Sequence, residues 1–158
     1  MSIDSRTVTI NLKAKTEKRV TKQIPYDQCL ELLEMDGPDD VESTYKSIIE
    51  KEIKRKKLGY DQQDKRKDRY FEENIKPEEI RRKLLDQRLC CYYCKEKMVM
   101  NGQSMDKRQW TLDRIENHVG HTEKNVVASC LECNLRKRRR DSEKFKYGKQ
   151  LQMIKKIV

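Results

Sequence analysis

Residues 110–134 read WTLDRIENHVGHTEKNVVASCLECN and carry the clearest structural pattern in this chain. Residues 110–115 are strand-like, Gly120 marks a turn, and residues 126–128 form a second short apolar strand. The basic run that follows is expected to open a helix. The sequence therefore predicts a strand, a loop, a second strand and a helix, in that order.

Two Cys-x-x-Cys pairs, Cys91/Cys94 and Cys130/Cys133, lie on either side of the first strand and its loop. Four thiolates have the number and softness that a tetrahedral structural zinc requires. Two redox-active or incidental pairs are the alternative. Cys90 could replace Cys91 in the first pair, but a two-residue loop is tighter and more usual. We therefore predict a structural Zn²⁺ on Cys91, Cys94, Cys130 and Cys133.

The composition limits what else can stabilise the fold. Of 158 residues, 41% are charged and 35% hydrophobic. This small apolar surface cannot offset the conformational entropy lost in ordering a large core. We therefore expect a metal, a partner or nucleic acid to help to stabilise the fold. No run approaches the roughly 18 apolar residues of a membrane span. The first residues lack the apolar segment of a signal peptide, so we expect an intracellular, reducing compartment.

The positive charge is concentrated in the second part of the chain. The net charge is 37 − 27 = +10, of which residues 1–88 contribute 21 − 19 = +2 and residues 89–158 contribute 16 − 8 = +8. An uncompensated positive field favours a polyanion. A membrane surface is less suitable, because no amphipathic basic helix with a bulky aromatic face accompanies the charge. DNA is therefore the expected partner, with RNA as an alternative; the oligomeric state is left open.

The part of the chain before the cysteines is predicted to be a mostly helical, charged extension. Its expected elements are a short strand over 7–12, a helix over 26–35, and a helix from about 40 to 58 that Gly59 ends. Residues 61–74 are either a solvated helix or a linker. A further helix is expected to begin at Pro77. The predicted class is α+β, with an extension over 1–76, of unknown role, and a small zinc-stabilised domain with a basic C-terminal helix over 77–158.

Over about residues 77–149 the sequence resembles the HNH endonuclease family, whose fold is the ββα-metal finger. The resemblance rests on the first cysteine pair, Asp113 at a strand end, Gly120 followed by Asn125 and an apolar strand, and Cys-x-x-Cys-Asn with Lys137 three residues further on. The wording Leu-Asp-Arg-Ile-Glu-Asn, Gly-His-Thr and Asn-Val-Val is similar to a subgroup common in phages and large DNA viruses. A viral protein, located in the nucleus or the virion, is the corresponding expectation.

The chemistry of such a site can be stated from its residue types. Hydrolysis of a phosphodiester needs a cation to neutralise the phosphate and the departing oxyanion, and a base to deprotonate water. Carboxylate and amide oxygens suit a hard ion. The resemblance implies that Asp113 and Asn134 hold a catalytic Mg²⁺ or Mn²⁺ and that Asn125 fixes the loop between the strands. It also implies products with 5′-phosphate and 3′-hydroxyl ends.

The usual general base is the feature that the sequence lacks. The family has a histidine directly after the aspartate, and this chain has Arg114 there. A guanidinium cannot accept a proton from water at neutral pH. His118 and His121, both in the loop between the strands, are the candidate bases, with His121 preferred and solvated loop residues as the alternative. Arg114 is then expected to clamp a phosphate.

The basic run after the second cysteine pair is expected to contact a phosphate backbone without reading sequence. It contains Arg136, Lys137, Arg138, Arg139 and Arg140. A localisation signal or a solvated face is the alternative.

The function predicted first is a metal-dependent DNA endonuclease with a structural zinc. The second is a catalytically impaired, zinc-stabilised module that binds nucleic acid, which Arg114 favours. The third makes the N-terminal helices a protein-interaction arm.

Overall fold

The computed structural model describes residues 22–35, 44–69 and 73–157. These residues form an α+β arrangement in which a two-stranded antiparallel sheet is surrounded by helices. A single 3₁₀ turn, Glu123–Asn125, precedes the second strand. The predicted strand over 7–12 lies outside the described residues. In chain order the elements are α1 (Tyr26–Glu34), α2 (Thr44–Arg66), α3 (Pro77–Asp86), β1 (Trp110–Arg114), β2 (Val126–Cys130), α4 (Leu131–Lys137) and α5 (Ser142–Ile157).

Helix α3 begins where the sequence predicts a helix. Pro77 occupies the first turn, where the missing N–H costs nothing. The Glu79 carboxylate accepts a hydrogen bond from the Lys76 N–H at 2.8 Å, which satisfies one of the free donors of that turn. Ile80 and Leu84 are both completely buried. The helix is therefore fixed at its start and along one face, and it leads the chain into the first cysteine pair.

Strands β1 and β2 pair in antiparallel register, with Trp110 opposite Cys130 and Arg114 opposite Val126. The first four residues of β1 and all of β2 are buried. Successive side chains of a strand point to opposite faces. One face of β1 contacts α2, where the Lys56 ammonium lies 4.8 Å from the centre of the Trp110 ring. The other face contacts α4. The two-stranded ribbon formed by β1 and β2 is therefore enclosed between α2 and α4.

The prediction that the second helix ends at Gly59 is wrong, because α2 continues beyond Gly59 to Arg66. A glycine inside a helix costs only about 1 kcal/mol relative to alanine. Contacts made by the next turns offset this cost. The Tyr60 hydroxyl accepts a hydrogen bond from the Leu112 N–H at 2.9 Å, and Asp64 accepts one from the His121 N–H at 2.7 Å. Tertiary contacts therefore extend the helix past the residue that should terminate it.

The basic run spans a break between two helices, whereas the sequence predicted that it would open one. Helix α4 begins earlier, at Leu131, and the chain turns at Arg138, whose φ is 52°. Helix α5 begins only at Ser142. The side chains of 138–140 are exposed in this connection.

The buried apolar side chains form one cluster that joins the first three helices to the ribbon. It includes Leu33 of α1, Ile53 of α2 and Ile80 of α3. The predicted division into 1–76 and 77–158 stays a prediction, although the core draws on both sides of it. Of the helices in the described part of the chain, none is long and apolar enough to cross a membrane.

Candidate functional site

Four cysteine side chains converge at the junction of β2, α4 and the turn that follows α3. The sulfurs of Cys91, Cys94, Cys130 and Cys133 all lie within 4.8 Å of one another, and those of Cys94 and Cys130 are 3.9 Å apart. A tetrahedral ion with Zn–S bonds of about 2.3 Å requires sulfurs about 3.8 Å apart. The four cysteines are thus positioned to bind a metal ion, compatible with a structural zinc.

Local hydrogen bonds shape the first cysteine pair into a tight turn. The Cys91 N–H donates to the Glu96 carbonyl at 2.9 Å, and the Lys95 N–H donates to the Cys91 carbonyl at 3.0 Å. The Tyr92 N–H donates to the Ala128 carbonyl at 2.9 Å, which ties this turn to β2. The sulfur ligands are therefore held in place by the backbone of two separate segments.

Hydrogen bonds among the four sulfurs lower the pKa of Cys91 and Cys94 and raise the pKa of Cys130 and Cys133. The Cys133 N–H donates to the Cys130 sulfur at 3.4 Å, across the start of α4. Hydrogen bonds from Cys130 and Cys133 lower the pKa of Cys94 to about 7. A lower thiol pKa means a larger fraction of thiolate at neutral pH. The first pair is thus the one in which hydrogen bonding favours the thiolate that a cation would bind.

Cys90 lies outside this cluster, which confirms the choice of Cys91 for the first pair. Its sulfur is 3.5 Å from the hydroxyl of Tyr26 in α1. Burial raises the pKa of that tyrosine to about 12. Cys90 therefore takes part in packing the extension against the turn after α3.

Asp113 lies on the face of β1 that contacts α4, and it is 6% exposed. Its Oδ2 accepts a hydrogen bond from the Tyr93 hydroxyl at 2.5 Å and lies 3.0 Å from the Lys137 ammonium. Lys137 is completely buried and also donates to the Arg114 carbonyl at 2.8 Å. The carboxylate thus has a buried counter-charge within the protein, and Lys137 is not the surface cation that the sequence predicted.

Asn134 is on α4, directly beside this strand. Its amide nitrogen donates to the Thr111 hydroxyl at 3.0 Å. The side-chain Oδ1 of Asn134 and the Oδ1 of Asp113 make no hydrogen bond within the part of the chain that the structure describes. Carboxylate and amide oxygens are the ligand types that a magnesium ion prefers, and such an ion usually keeps several water ligands of its own. The Lys137 ammonium on the neighbouring Oδ2 opposes such an ion.

Arg114 follows Asp113 on the strand, so strand alternation directs it to the opposite face, toward α2. Its guanidinium donates to the carbonyls of Asn117 and Val119 at 2.5 and 3.3 Å. Burial lowers its pKa, but a guanidinium stays protonated. The structure thus ties Arg114 to the loop between the strands.

His121 is buried on the α2 side of the ribbon, where it contacts two residues of that helix. Its Nδ1 lies 2.8 Å from Asp64 Oδ2, and its ring stacks on Tyr60 with centres 4.5 Å apart. Burial lowers the pKa of His121, although the Asp64 carboxylate partly opposes this effect. Its other ring nitrogen, Nε2, bonds to no residue that the structure describes. Asp64 and His121 together form a clasp, a hydrogen-bonded pair that fastens α2 to the loop.

His118 and Asn125 occupy the same loop in opposite environments. The His118 side chain is 80% exposed, with its Nδ1 3.8 Å from a Glu116 carboxylate oxygen. The buried Asn125 side chain donates to the carbonyls of Glu116 and Gly120 at 3.1 and 3.0 Å and accepts from the Glu116 N–H at 2.9 Å. Asn125 thus closes the loop on itself.

The remaining basic side chains lie at the surface around the end of α4. Arg136 is 3.2 Å from Glu132, one turn earlier, and 138–140 are exposed. Beside them, α5 borders an open cleft of about 480 Å³. Its lining residues are Arg140, Asp141, Lys144, Phe145, Gly148, Lys149 and Gln152.

Three residues of this region escaped the sequence analysis. Tyr93 lies between the two cysteines of the first pair, Tyr60 directly follows the glycine expected to end the second helix, and Asp64 lies in the segment expected to be a solvated helix or a linker. Their partners are 20 to 57 residues away in the chain, so no local pattern identifies them.

No family model matches the sequence, and the comparisons with curated proteins and with solved structures likewise gave no match.

Proposed function

We propose that this chain is a metal-dependent DNA endonuclease of the ββα-metal, HNH-like type, with a structural zinc on its four cysteines. The observation that carries the proposal is the position of Asn134. It donates from the first turns of α4 to Thr111, two residues before Asp113 on β1. An amide and a carboxylate on neighbouring elements, beside a cysteine cluster, are the arrangement that the resemblance implies.

In this proposal each residue has a separate task. Asp113 and Asn134 would hold the catalytic Mg²⁺ or Mn²⁺, which supplies charge neutralisation for the phosphate and the departing oxyanion. The guanidinium of Arg114, which lies at the loop between β1 and β2, binds a phosphate oxygen of the DNA. The exposed arginines 138–140 hold the flanking backbone of the DNA.

His121 is the proposed general base, acting through Nε2. The carboxylate of Asp64 on Nδ1 fixes the orientation of the ring, as a carboxylate does for the histidine of hydrolase triads. Because Asp113 and Arg114 point to opposite faces of β1, the scissile phosphate must lie across the end of the ribbon. We expect His121→Ala to lower the cleavage rate by about 10²–10⁴-fold. His118→Ala, which alters an exposed side chain of the same loop, is the matched control and should cost less.

A second candidate function is a zinc-stabilised nucleic-acid-binding module that does not cleave. The ion pair between Asp113 and the buried Lys137 favours it, because that carboxylate is already neutralised. Arg114→His separates the two functions, because DNA binding without cleavage by both the wild type and this variant would favour the binding module. More cleavage by this variant would identify a nuclease limited by its missing base, and less cleavage would assign Arg114 to phosphate binding.

Relaxation of supercoiled plasmid, with and without Mg²⁺ or Mn²⁺, tests the proposal. We expect the wild-type protein to nick the plasmid only with a divalent ion, and Asp113→Ala to abolish nicking while zinc content is retained. Asp86→Ala, which removes an exposed carboxylate at the end of α3, should leave cleavage unchanged. Salt-dependent DNA binding by a wild-type protein that nicks nothing would reject the nuclease in favour of the binding module.

A further inference from the structure

Lys137 is the most deeply buried charged side chain of the proposed active site. It is 0% exposed, and its ammonium lies 3.0 Å from Asp113 Oδ2 and donates to the Arg114 carbonyl at 2.8 Å. Burying an ammonium is costly unless it is paired and hydrogen-bonded. Both requirements are met here only through β1, at the position where the catalytic cation is proposed.

We propose that Lys137 is a resident counter-ion of Asp113 and that a divalent ion binds only by displacing its ammonium from the carboxylate. The inference rests on the proposed function, because it concerns the cation of that same site. It assigns to Lys137 the control of metal affinity.

The reason is that two cations compete for one carboxylate. The Tyr93 hydroxyl also donates to Asp113 Oδ2, so this oxygen already has two donors. Repulsion between an ammonium and a divalent ion within a few ångströms is strong at the low effective dielectric of a buried site. If Asp113 were to hold a divalent ion, the buried Lys137 ammonium would lose its partner and would have to move to water.

The position of Lys137 in the chain permits that movement. It is the last residue of α4, and the next residue, Arg138, has a φ of 52° and an exposed side chain. A side chain at a helix end has a shorter path to solvent than one in the middle of a packed helix. The displaced ammonium would then join the exposed arginines 138–140 beside the DNA.

The competition has a measurable consequence for affinity. When the binding-competent state is only a fraction of the molecules, the apparent Kd rises by the inverse of that fraction. If Lys137 pairs with Asp113 in nine molecules of ten, removing the ammonium should tighten divalent-ion binding by about tenfold or more.

Amine labelling of the wild-type, zinc-loaded protein tests the displacement directly. An amine-reactive reagent followed by peptide mass spectrometry should leave Lys137 protected without a divalent ion, since the group is buried. Saturating Mn²⁺ or Mg²⁺ should raise its labelling severalfold, while the exposed Lys124 is labelled equally in both states. Labelling of Lys137 that does not respond to either ion would overturn the proposal.

Thermal unfolding with Mn²⁺ gives a second, independent measure. An ion that binds only the folded state raises the Tm, because at a free concentration c it stabilises that state by RT ln(1 + c/Kd). We expect a larger Mn²⁺-dependent rise in Tm for Lys137→Met than for the wild type or for Lys137→Arg, which keeps the charge. Adding Asp113→Asn to Lys137→Met should remove the rise. Equal responses of wild type and Lys137→Met would contradict the competition.

Neither readout involves cleavage, so the two proposals fail separately. Mn²⁺-dependent exposure of Lys137 in a protein that never nicks DNA would retain the competition and reject the nuclease. Nicking that requires Asp113, with Lys137 protected throughout, would retain the nuclease and reject the competition.

Discussion

The clasp between Asp64 and His121 should make a large contribution to stability, because it fastens α2 to the loop between the strands. Asp64 is 1% exposed, and its Oδ2 accepts from the His121 N–H at 2.7 Å and contacts Nδ1 at 2.8 Å. Asp64→Ala removes the acceptor from both groups and leaves them buried. The change therefore isolates the contribution of one side chain from the extension.

The expected loss can be worked out from the groups left unpaired. Two buried donors without a partner cost about 1–3 kcal/mol each. Asp64 Oδ1 is itself buried without a hydrogen bond, so deleting the carboxylate recovers part of the cost. We therefore expect Asp64→Ala to lower the free energy of unfolding by about 2–4 kcal/mol. This is a large fraction of the roughly 5–15 kcal/mol of an ordinary domain.

The clasp should also make stability depend on pH, with a sign set by His121. Because burial lowers its pKa, the unfolded state binds a proton at a higher pH than the folded state does. The free energy of unfolding is therefore fully retained above the unfolded pKa of about 6.5 and falls as the pH decreases below it. One such group contributes at most about 1.4 kcal/mol per pH unit.

Urea unfolding at pH 7.5 and pH 5.5 measures both effects. His121→Gln should lose less stability than the wild type between these pH values, whereas His118→Gln, altered in solvent, should follow the wild type. Acid also releases metal from thiolates, but this loss is common to all variants and cancels in the comparison. A loss of less than about 0.5 kcal/mol in Asp64→Ala, the scale of an ordinary surface change, would show that the clasp does not stabilise the fold. The same pH dependence in the wild type and in His121→Gln would show that His121 does not set the pH dependence of stability.

Three other perturbations have definite expected outcomes. Cys130→Ser should lose its zinc and unfold, because a zinc site supplies folding free energy to a small core, whereas Cys90→Ser should keep one zinc per chain by elemental analysis. Replacing Arg138–Arg140 together with alanine should weaken binding to all DNA duplexes alike and reduce the slope of log affinity against log salt, by about 0.9 for each lost contact. Gly59→Ala should raise the free energy of unfolding by about 0.5–1 kcal/mol in a urea titration, since an added Cβ meets nothing within 4 Å.

The sequence predicts best those features that local patterns determine. Periodicity predicts strands β1 and β2, and capping predicts the helix that begins at Pro77. Spacing predicts the four convergent cysteines. The cluster also contains Cys91 and not Cys90, as the tighter and more usual two-residue loop predicts. Each of these signals lies within a few residues of the element that it predicts.

The features that the sequence missed depend on contacts between distant segments. Gly59 does not end α2, because Tyr60 and Asp64 find partners on the ribbon and its loop. Lys137 is one of five consecutive basic residues, yet it alone is completely buried, because α4 directs it at Asp113. Neither outcome can be derived from charge or propensity, which describe a residue and not the surface that it meets.

The proposal that this chain hydrolyses phosphodiester bonds in DNA can be tested by the chemical ends of its products. Zinc-loaded protein incubated with a defined duplex should give fragments only when Mg²⁺ or Mn²⁺ is added, and mass spectrometry should find 5′-phosphate and 3′-hydroxyl ends. Asn134→Ala should give none. An intact duplex under every divalent ion, with the DNA bound and the zinc in place, would rule out DNA hydrolysis by this chain.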